Sequence, residues 1–429
     1  MSLLVLALEN LLFPLGALAI VLGFLISPRR RVLLSLADEL RERFGGVTAD
    51  QLKALAGRPV LWVHAASAGE VAAAAILLER LKGGDKPPAV VMTCTTMTGR
   101  QKAAGLACVD LATLAPLDCW PAVSRFLGAV KPYGLILVET ELWPQTIALA
   151  HARGLRIGLV NGRMTERSFI RYRMLRSCAR PFLRMICRLA VQTEADAQRF
   201  SDLGVDPGSV RVVGNMKYDL LKPAAKDAEV ASRLSALGWD GAAIWVAGST
   251  HPGEEELVLA AYRSARKKTP DLKLVLAPRH PERAAQAART LEEAGLPFRS
   301  WSQAPARADC LLLDVLGVLP LVYPFAAVSF VGGTLVPVGG HNLLEPAIAG
   351  TPVLFGPNTG HTREVARLLE SAGVGFCCSD AAALSGALDD LLGDRARCLE
   401  LGRQARGLAE SLQGAVERTS SYLSPVVSA

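Results

Sequence analysis

Along most of this chain, short runs of β-branched and aliphatic residues alternate with longer stretches whose apolar positions recur at helical spacing. A first series predicts strands at residues 60–64, 89–93, 135–138, 157–160, 189–192 and 210–213. A second predicts strands at 243–247, 272–277, 310–314, 327–331, 352–355 and 375–378, with a last helix around 395–423. Strand–helix alternation of this kind builds parallel sheets with right-handed crossovers. The fold class is therefore α/β, as two doubly wound domains joined by a linker at residues 220–230, and 429 residues suffice for two full cores. Ligands are expected in a cleft at the carboxyl ends of the strands.

Upstream of the first strand, residues 32–58 read as an amphipathic helix. Residues 3–26 are apolar apart from Glu9 and Asn10, and the run ends in Ser-Pro-Arg-Arg-Arg. Positive charge after the apolar run argues against a secretory signal. It predicts an uncleaved N-terminal anchor, residues 1–27, that leaves the following domains in the cytoplasm. The alternative is a helix lying in the interface, since the uninterrupted stretch from 11 to 26 falls short of the ~20 residues of a spanning helix.

Composition supports a membrane contact: 51% of residues are hydrophobic and the mean hydropathy is +0.28. The net charge of +7 suits anionic lipid or phosphates. Eight arginines fall between Arg163 and Arg188, and Arg173, Arg176, Arg180, Arg184 and Arg188 share helical spacing. Leu175, Cys178, Phe182, Met185, Ile186 and Leu189 make an apolar stripe beside them, with Pro181 expected to bend or break the helix. Such a face fits an anionic membrane surface, or a solvated face over the core. Sparse aromatics and the lack of a binding module argue against nucleic acid. Nine scattered cysteines without a Cys-x-x-Cys pair point to free thiols, and six dispersed histidines predict no metal.

The candidate chemistry follows the strands. After the first comes His-Ala-Ala-Ser-Ala-Gly-Glu, residues 64–70, opening a helix. Ser67 and Glu70 have the spacing of a capping box, yet Glu70 at a cleft mouth is also placed as a general base, kept ionised by the helix N-terminus. Thr95 and Thr96 belong to a hydroxyl-rich stretch at 93–100 suited to a sugar, a phosphate or a helix start. Glu139 and Glu141 follow another strand beside Trp143 and read first as binding groups. In the second half, Ala-Gly-Ser-Thr-His-Pro-Gly-Glu-Glu at 247–255 opens a helix as a plausible phosphate cradle, and Arg279 can neutralise a phosphate bidentately. The glycine-rich stretch 331–347 carries His341, Asn342 and Glu345. Its N–H groups after Gly340 can face an anion, and Glu345 can accept from sugar hydroxyls.

In order and spacing, these stretches resemble the bacterial Kdo transferases, which attach 3-deoxy-D-manno-octulosonic acid (Kdo) to the lipid A precursor. The resemblance rests on residues 64–70, 95–98, 139–144, 212–219 (Val-Val-Gly-Asn-Met-Lys-Tyr-Asp), 249–255, 277–283 and 332–347. It implies a GT-B fold of two Rossmann-like domains facing a cleft: residues 28–220 for the acceptor and 221–429 for the CMP-sugar, with the last helix able to pack back on the first domain. It implies CMP-Kdo as donor substrate, no cofactor, no metal, and an inner-membrane enzyme on the cytoplasmic face. Glu70 then matches the base of an inverting transfer. Ser249, Thr250, Arg279, His280, Gly339, Gly340, Asn342, Glu345 and Lys217 would hold the donor; Ser67, Gly69, Thr95, Thr96, Glu139 and Glu141 would face the acceptor or Kdo. Where the family usually has Gly-Glu-Leu, this chain has Gly317-Val318-Leu319. A UDP-sugar transferase or epimerase of the same fold, or a non-catalytic membrane-bound binding protein, are the alternative readings.

Overall fold

A computed structural model describes residues 33–83, 87–222 and 225–428, with side chains from residue 37 onward. The expected anchor lies outside the described residues. Among the described residues no helix is long and apolar enough to cross a membrane. The chain divides into two compact units. One runs to Leu220 and takes in the C-terminal segment from Gln413; the other is Leu221–Leu412.

In the first unit the strands are β1 (Val60–His64), β2 (Ala89–Cys94), β3 (Leu111–Leu114), β4 (Gly134–Val138), β5 (Arg156–Gly162), β6 (Arg188–Val191) and β7 (Val210–Val212). They form one parallel sheet in the order β3-β2-β1-β4-β5-β6-β7. The second unit holds β8 (Ile244–Thr250), β9 (Lys273–Pro278), β10 (Phe298–Ser300), β11 (Cys310–Leu312), β12 (Val328–Val331), β13 (Val353–Phe355) and β14 (Gly375–Cys377). Its parallel sheet runs β10-β11-β9-β8-β12-β13-β14. The strand order reverses between β1 and β4 in one unit and between β8 and β12 in the other. Crossovers leave to opposite faces there, so a crevice opens beyond the strand ends of each sheet.

Central strands are buried on both faces, which is why β1, β2 and β4 read as continuous apolar runs. In the first unit Trp62, Phe126, Ile157 and Phe200 pack one side of the sheet, and Val63, Leu78, Met92 and Ile136 the other. Leu423 and Val426 join that second cluster. The C-terminal segment reaches it through Asp219, whose carboxylate accepts from the N–H groups of Gly414, Ala415 and Val416 at 2.8, 3.2 and 2.7 Å. Three charge-assisted bonds cap the helix Ala415–Tyr422 and tie it to the end of the first unit's own sequence.

Several expectations need correction. β3 and β10 were not predicted: they are four and three residues long and carry Thr, Arg and Ser, too short for a period-2 signal. Residues 32–58 hold two helices, Leu33–Arg43 and Ala49–Lys53, with Gly45 and Gly46 between them and Thr48 capping the second. The proposed linker is already helical from Ala228. The arginine-rich stretch breaks at Leu175, between the helices Glu166–Met174 and Arg176–Leu183. Pro181 sits within the second, near its end, where it removes a single helical hydrogen bond.

Candidate functional site

At the first switch point, β1 ends in His64 and the helix Ala68–Lys82 begins after three intervening residues. Ser67 caps that helix, its hydroxyl accepting from the Glu70 N–H at 3.4 Å. The Glu70 carboxylate turns back to accept from the Ala66 N–H and the Ser67 hydroxyl, both at 2.8 Å. Thr95 and Thr96 are drawn to the same turn, since both their N–H groups donate to the Ala66 carbonyl, at 3.1 and 3.0 Å. Gly69 lies in the first turn of the helix itself.

Glu139 and Glu141 follow β4, the strand beside β1. Glu139 adopts φ +61°, a left-handed conformation costly for a side chain with a Cβ, and such strain concentrates at functional sites. Its carboxylate is met by Lys217 Nζ at 2.6 Å. Glu141 accepts from the Trp143 indole at 2.8 Å and faces His64 Nε2 at 3.6 Å. Burial tends to raise Glu141, but His64 and Trp143 outweigh it and leave the carboxyl below its ordinary value. Glu70 goes the other way. Burial pushes it up, its two hydrogen bonds only partly oppose this, and the charges of Glu141 and Glu139 add to the rise. To the helix N-terminus, which favours the ionised form, burial and the two neighbouring acids add an opposing push. Glu70 is a carboxylate with elevated basicity among two other acids, each of which has its own partner.

His64 was not singled out by the sequence. The Trp62 indole donates to Thr93 Oγ1 at 2.9 Å, and the same oxygen lies 2.9 Å from His64 Nδ1. The hydroxyl's other acceptor, the Val63 carbonyl, is 3.5 Å away. The closer partner wins, so the hydroxyl donates to Nδ1 and the ring proton sits on Nε2, toward Glu141. The signal was present: an indole, a hydroxyl and an imidazole on neighbouring strands, in register at Val63–Met92 and His64–Thr93.

The second switch point is organised by a carboxylate that sequence reasoning also passed over. Glu254 is fully buried at the start of the helix Glu254–Ala265. It accepts from the N–H groups of Gly333, Thr334, Leu335 and His251 at 2.7, 3.1, 2.9 and 2.9 Å. Gly332 must be glycine here: a Cβ would lie 2.4 Å from the Ser249 carbonyl oxygen. Glu255, also buried, accepts from Thr250 at 2.9 Å and pairs with Arg283 at 3.1 Å. The N–H groups of Gly339 and Gly340 donate to Gly333 O. The amides of residues 251, 333–335, 339 and 340 are thus engaged by the protein's own acceptors, whereas those after Gly340, the ones expected to face an anion, are not among them.

Ser249, at the end of β8, takes φ +57°, and polar side chains stand beside these loops. Arg279 and His280 are exposed just beyond β9. Asn342 turns the chain into the helix Leu344–Ile348, accepting from the Leu344 N–H and donating to Glu345 at 3.2 Å. Burial raises Glu345, against the lowering by Asn342 and Arg279. Val318 is partly buried against the second-unit core, so apolar packing occupies the place of the family's glutamate. Lys217 belongs to the first unit, where it pairs with Glu139. Among the described residues no cluster of three or more His, Cys, Asp or Glu is placed to hold a metal.

Arg173, Arg176, Arg180 and Arg184 are all exposed. Arg184 Nε donates to Gly204 O at 3.2 Å, and Arg173 lies over the Phe169 ring. Ile170, Met174 and Leu175 are exposed in the same stretch, Met174 to 81%.

The family model for 3-deoxy-D-manno-octulosonic-acid transferase matches residues 38–220. The chain is 34% identical over 370 residues to the 3-deoxy-D-manno-octulosonic acid transferase of Haemophilus influenzae, covering 85% of this chain and 86% of that protein. It is 34% identical over 396 residues to the transferase of the same description from Bordetella pertussis, covering 89% and 90%. Among solved structures it resembles the UDP-GlcNAc 2-epimerase of Neisseria meningitidis bound to UDP-GlcNAc, with TM-score 0.56, 14% identity, and 85% and 99% coverage, a likeness of fold. Two doubly wound units, an acidic cluster at one switch point and a glycine-rich loop at the other agree with the sequence relationship. The chain belongs to the Kdo transferase family and is a glycosyltransferase that transfers Kdo in lipopolysaccharide biosynthesis.

Proposed function

We propose that the chain is an inverting GT-B enzyme that moves Kdo from CMP-Kdo to a hydroxyl of the lipid A precursor, without cofactor or metal. The first unit takes the acceptor and the second the nucleotide. The observation that carries this reading is Glu70: a carboxylate of raised basicity at the first switch point, held by neutral donors and, among the described residues, paired with no cation. It takes the proton of the acceptor hydroxyl as that oxygen forms its bond to the anomeric carbon. The bond from the anomeric carbon to the phosphate oxygen breaks and CMP leaves from the opposite face, taking that oxygen with it. Charge and hydrogen bonds for the departing phosphate come from Arg279 and His280, and Glu345 holds ribose hydroxyls.

The acceptor's acyl chains stay in a bilayer, so the enzyme works at a membrane surface. We assign that contact to the N-terminal segment 1–27 and to the stretch carrying Arg173, Arg176, Arg180 and Arg184, on the cytoplasmic face of the inner membrane. Exposed Ile170, Met174 and Leu175 support the second contact, because apolar side chains among arginines suit an anionic interface. Incubating the protein with CMP-Kdo and the lipid A precursor, then weighing the product, tests the assignment. A mass increase of one or more Kdo residues is expected; transfer only from a UDP-sugar would overturn it.

A further inference from the structure

His251 follows β8 and His341 follows the glycine-rich loop after β12, so the two imidazoles bridge the second switch point. Their Nε2 atoms are 2.7 Å apart. The ring planes differ by 6° with centroids 5.1 Å apart. A separation that wide at so short an N···N distance means the rings meet end to end in one plane and do not lie face to face. One proton must lie between the two nitrogens, since two bare lone pairs or two N–H groups would repel at that distance.

In the neutral pair one ring donates from Nε2 and has a bare Nδ1, while the other accepts at Nε2 and carries its proton on Nδ1. Adding one proton to the bare Nδ1 leaves the Nε2–H···Nε2 bond intact. It makes the pair a cation with two outward N–H donors. Charged and titratable groups face the pair from every side. Glu254, Glu255, Arg283 and His280 act on His251, and burial, the first cause, lowers it. His341 faces His251, Arg279, His280 and His361, and burial with these neighbours brings it to about 4. The empty pair is therefore poised without the extra proton near neutrality, and an anion alongside reverses that balance.

The loop gives a reason for such a device. Backbone amides at 333–335, 339, 340 and 251 are already bonded to Glu254 or Gly333, so a phosphate arriving at that part of the loop meets the two imidazoles and not those N–H groups. Resting on the donor reading above, we propose that His251 and His341 form a proton-coupled anion subsite that takes up one proton when a nucleotide phosphate binds beside them. The proton comes from solvent and returns to it when the nucleotide leaves. Affinity for the phosphate then falls as pH rises through the pKa of the occupied pair, by up to about tenfold per pH unit.

Calorimetry in two buffers of different ionisation enthalpy tests this on the full-length protein, with cytidine and with the methyl ester of CMP as probes. The ester is a phosphodiester with no titration of its own near neutrality. Uptake approaching one proton is expected with the ester and none with cytidine, and His251→Asn or His341→Asn should abolish the uptake. Nitrogen-15 NMR of histidine-labelled wild-type protein reads the same event without a variant, as conversion of one bare Nδ1 to N–H on adding the ester. Binding of the ester with no proton uptake, no change at Nδ1, or uptake that survives both substitutions would overturn the proposal and leave the donor site standing. Failure of the ester to bind at all would overturn the donor reading together with it.

Discussion

Lys217 Nζ lies 2.6 Å from Glu139 Oε1, joining a residue just after β7 to the strained turn after β4. The pair neutralises one of the two acids that act on Glu70. Replacing Lys217 by Met leaves Glu139 uncompensated, so Glu70 rises further and the acid limb of the rate–pH profile moves to higher pH. Lys217 and Glu139 are 41% and 24% exposed, so little loss of stability is expected. Titration of kcat/KM checks the shift; an unmoved limb with weakened CMP binding would return Lys217 to the donor site.

Glu70 makes activity and stability run in opposite directions with pH. Its folded-state pKa is raised, so its contribution to stability is complete below the ordinary carboxylate value and is lost as pH rises through the folded value. The rate rises over that same window, because the base must be ionised. Parallel profiles of melting temperature and kcat are the check, with the opposing slopes both flattened in Glu70→Gln.

Glu254→Gln should be the most destabilising single change in the second unit. Each carboxylate oxygen accepts from two of the four backbone donors, so the amide keeps one such oxygen and turns its NH2 toward the other two N–H groups. Charged hydrogen bonds contribute about 1.5–3 kcal/mol each, and an orphaned buried donor costs about 1–3 kcal/mol. A loss of about 3 kcal/mol or more is expected, with faster hydrogen exchange at Gly333, Thr334 and Leu335. Wild-type exchange there would show that the loop holds without its internal anion.

Met174→Glu with Leu175→Glu should weaken binding to anionic vesicles by an order of magnitude or so and spare the fold, since these side chains are exposed. Sedimentation with vesicles and circular dichroism read the two outcomes. Equal vesicle binding by the double variant would remove this stretch from the membrane contact.

The sequence made legible what periodicity and local chemistry carry. β1, β2 and β4 are buried on both faces and announce themselves as apolar runs, while β10, with exposed Arg299 between two half-buried residues, does not. The Ser67–Glu70 spacing identified a cap and a candidate base together, and the cap is formed. What stayed hidden depends on partners far along the chain. Nothing near Glu254 shows that its carboxylate reaches Gly333, nor does the string around His341 show that it meets His251. Lys217 was grouped with the nucleotide by its motif, and only the fold brings it to Glu139. The mapping of base and phosphate ligands came from the family resemblance; the pattern alone gave strand ends and turns.

Glu70→Gln separates a catalytic base from a helix cap most directly. The amide can still accept from the Ala66 N–H, so the turn is kept at a cost of about 1 kcal/mol. Turnover of CMP-Kdo with the lipid A precursor should fall by ~10²–10⁴-fold while CMP affinity is unchanged. A variant that melts earlier yet turns over at the wild-type rate would show that Glu70 only caps its helix, and would contradict the mechanism.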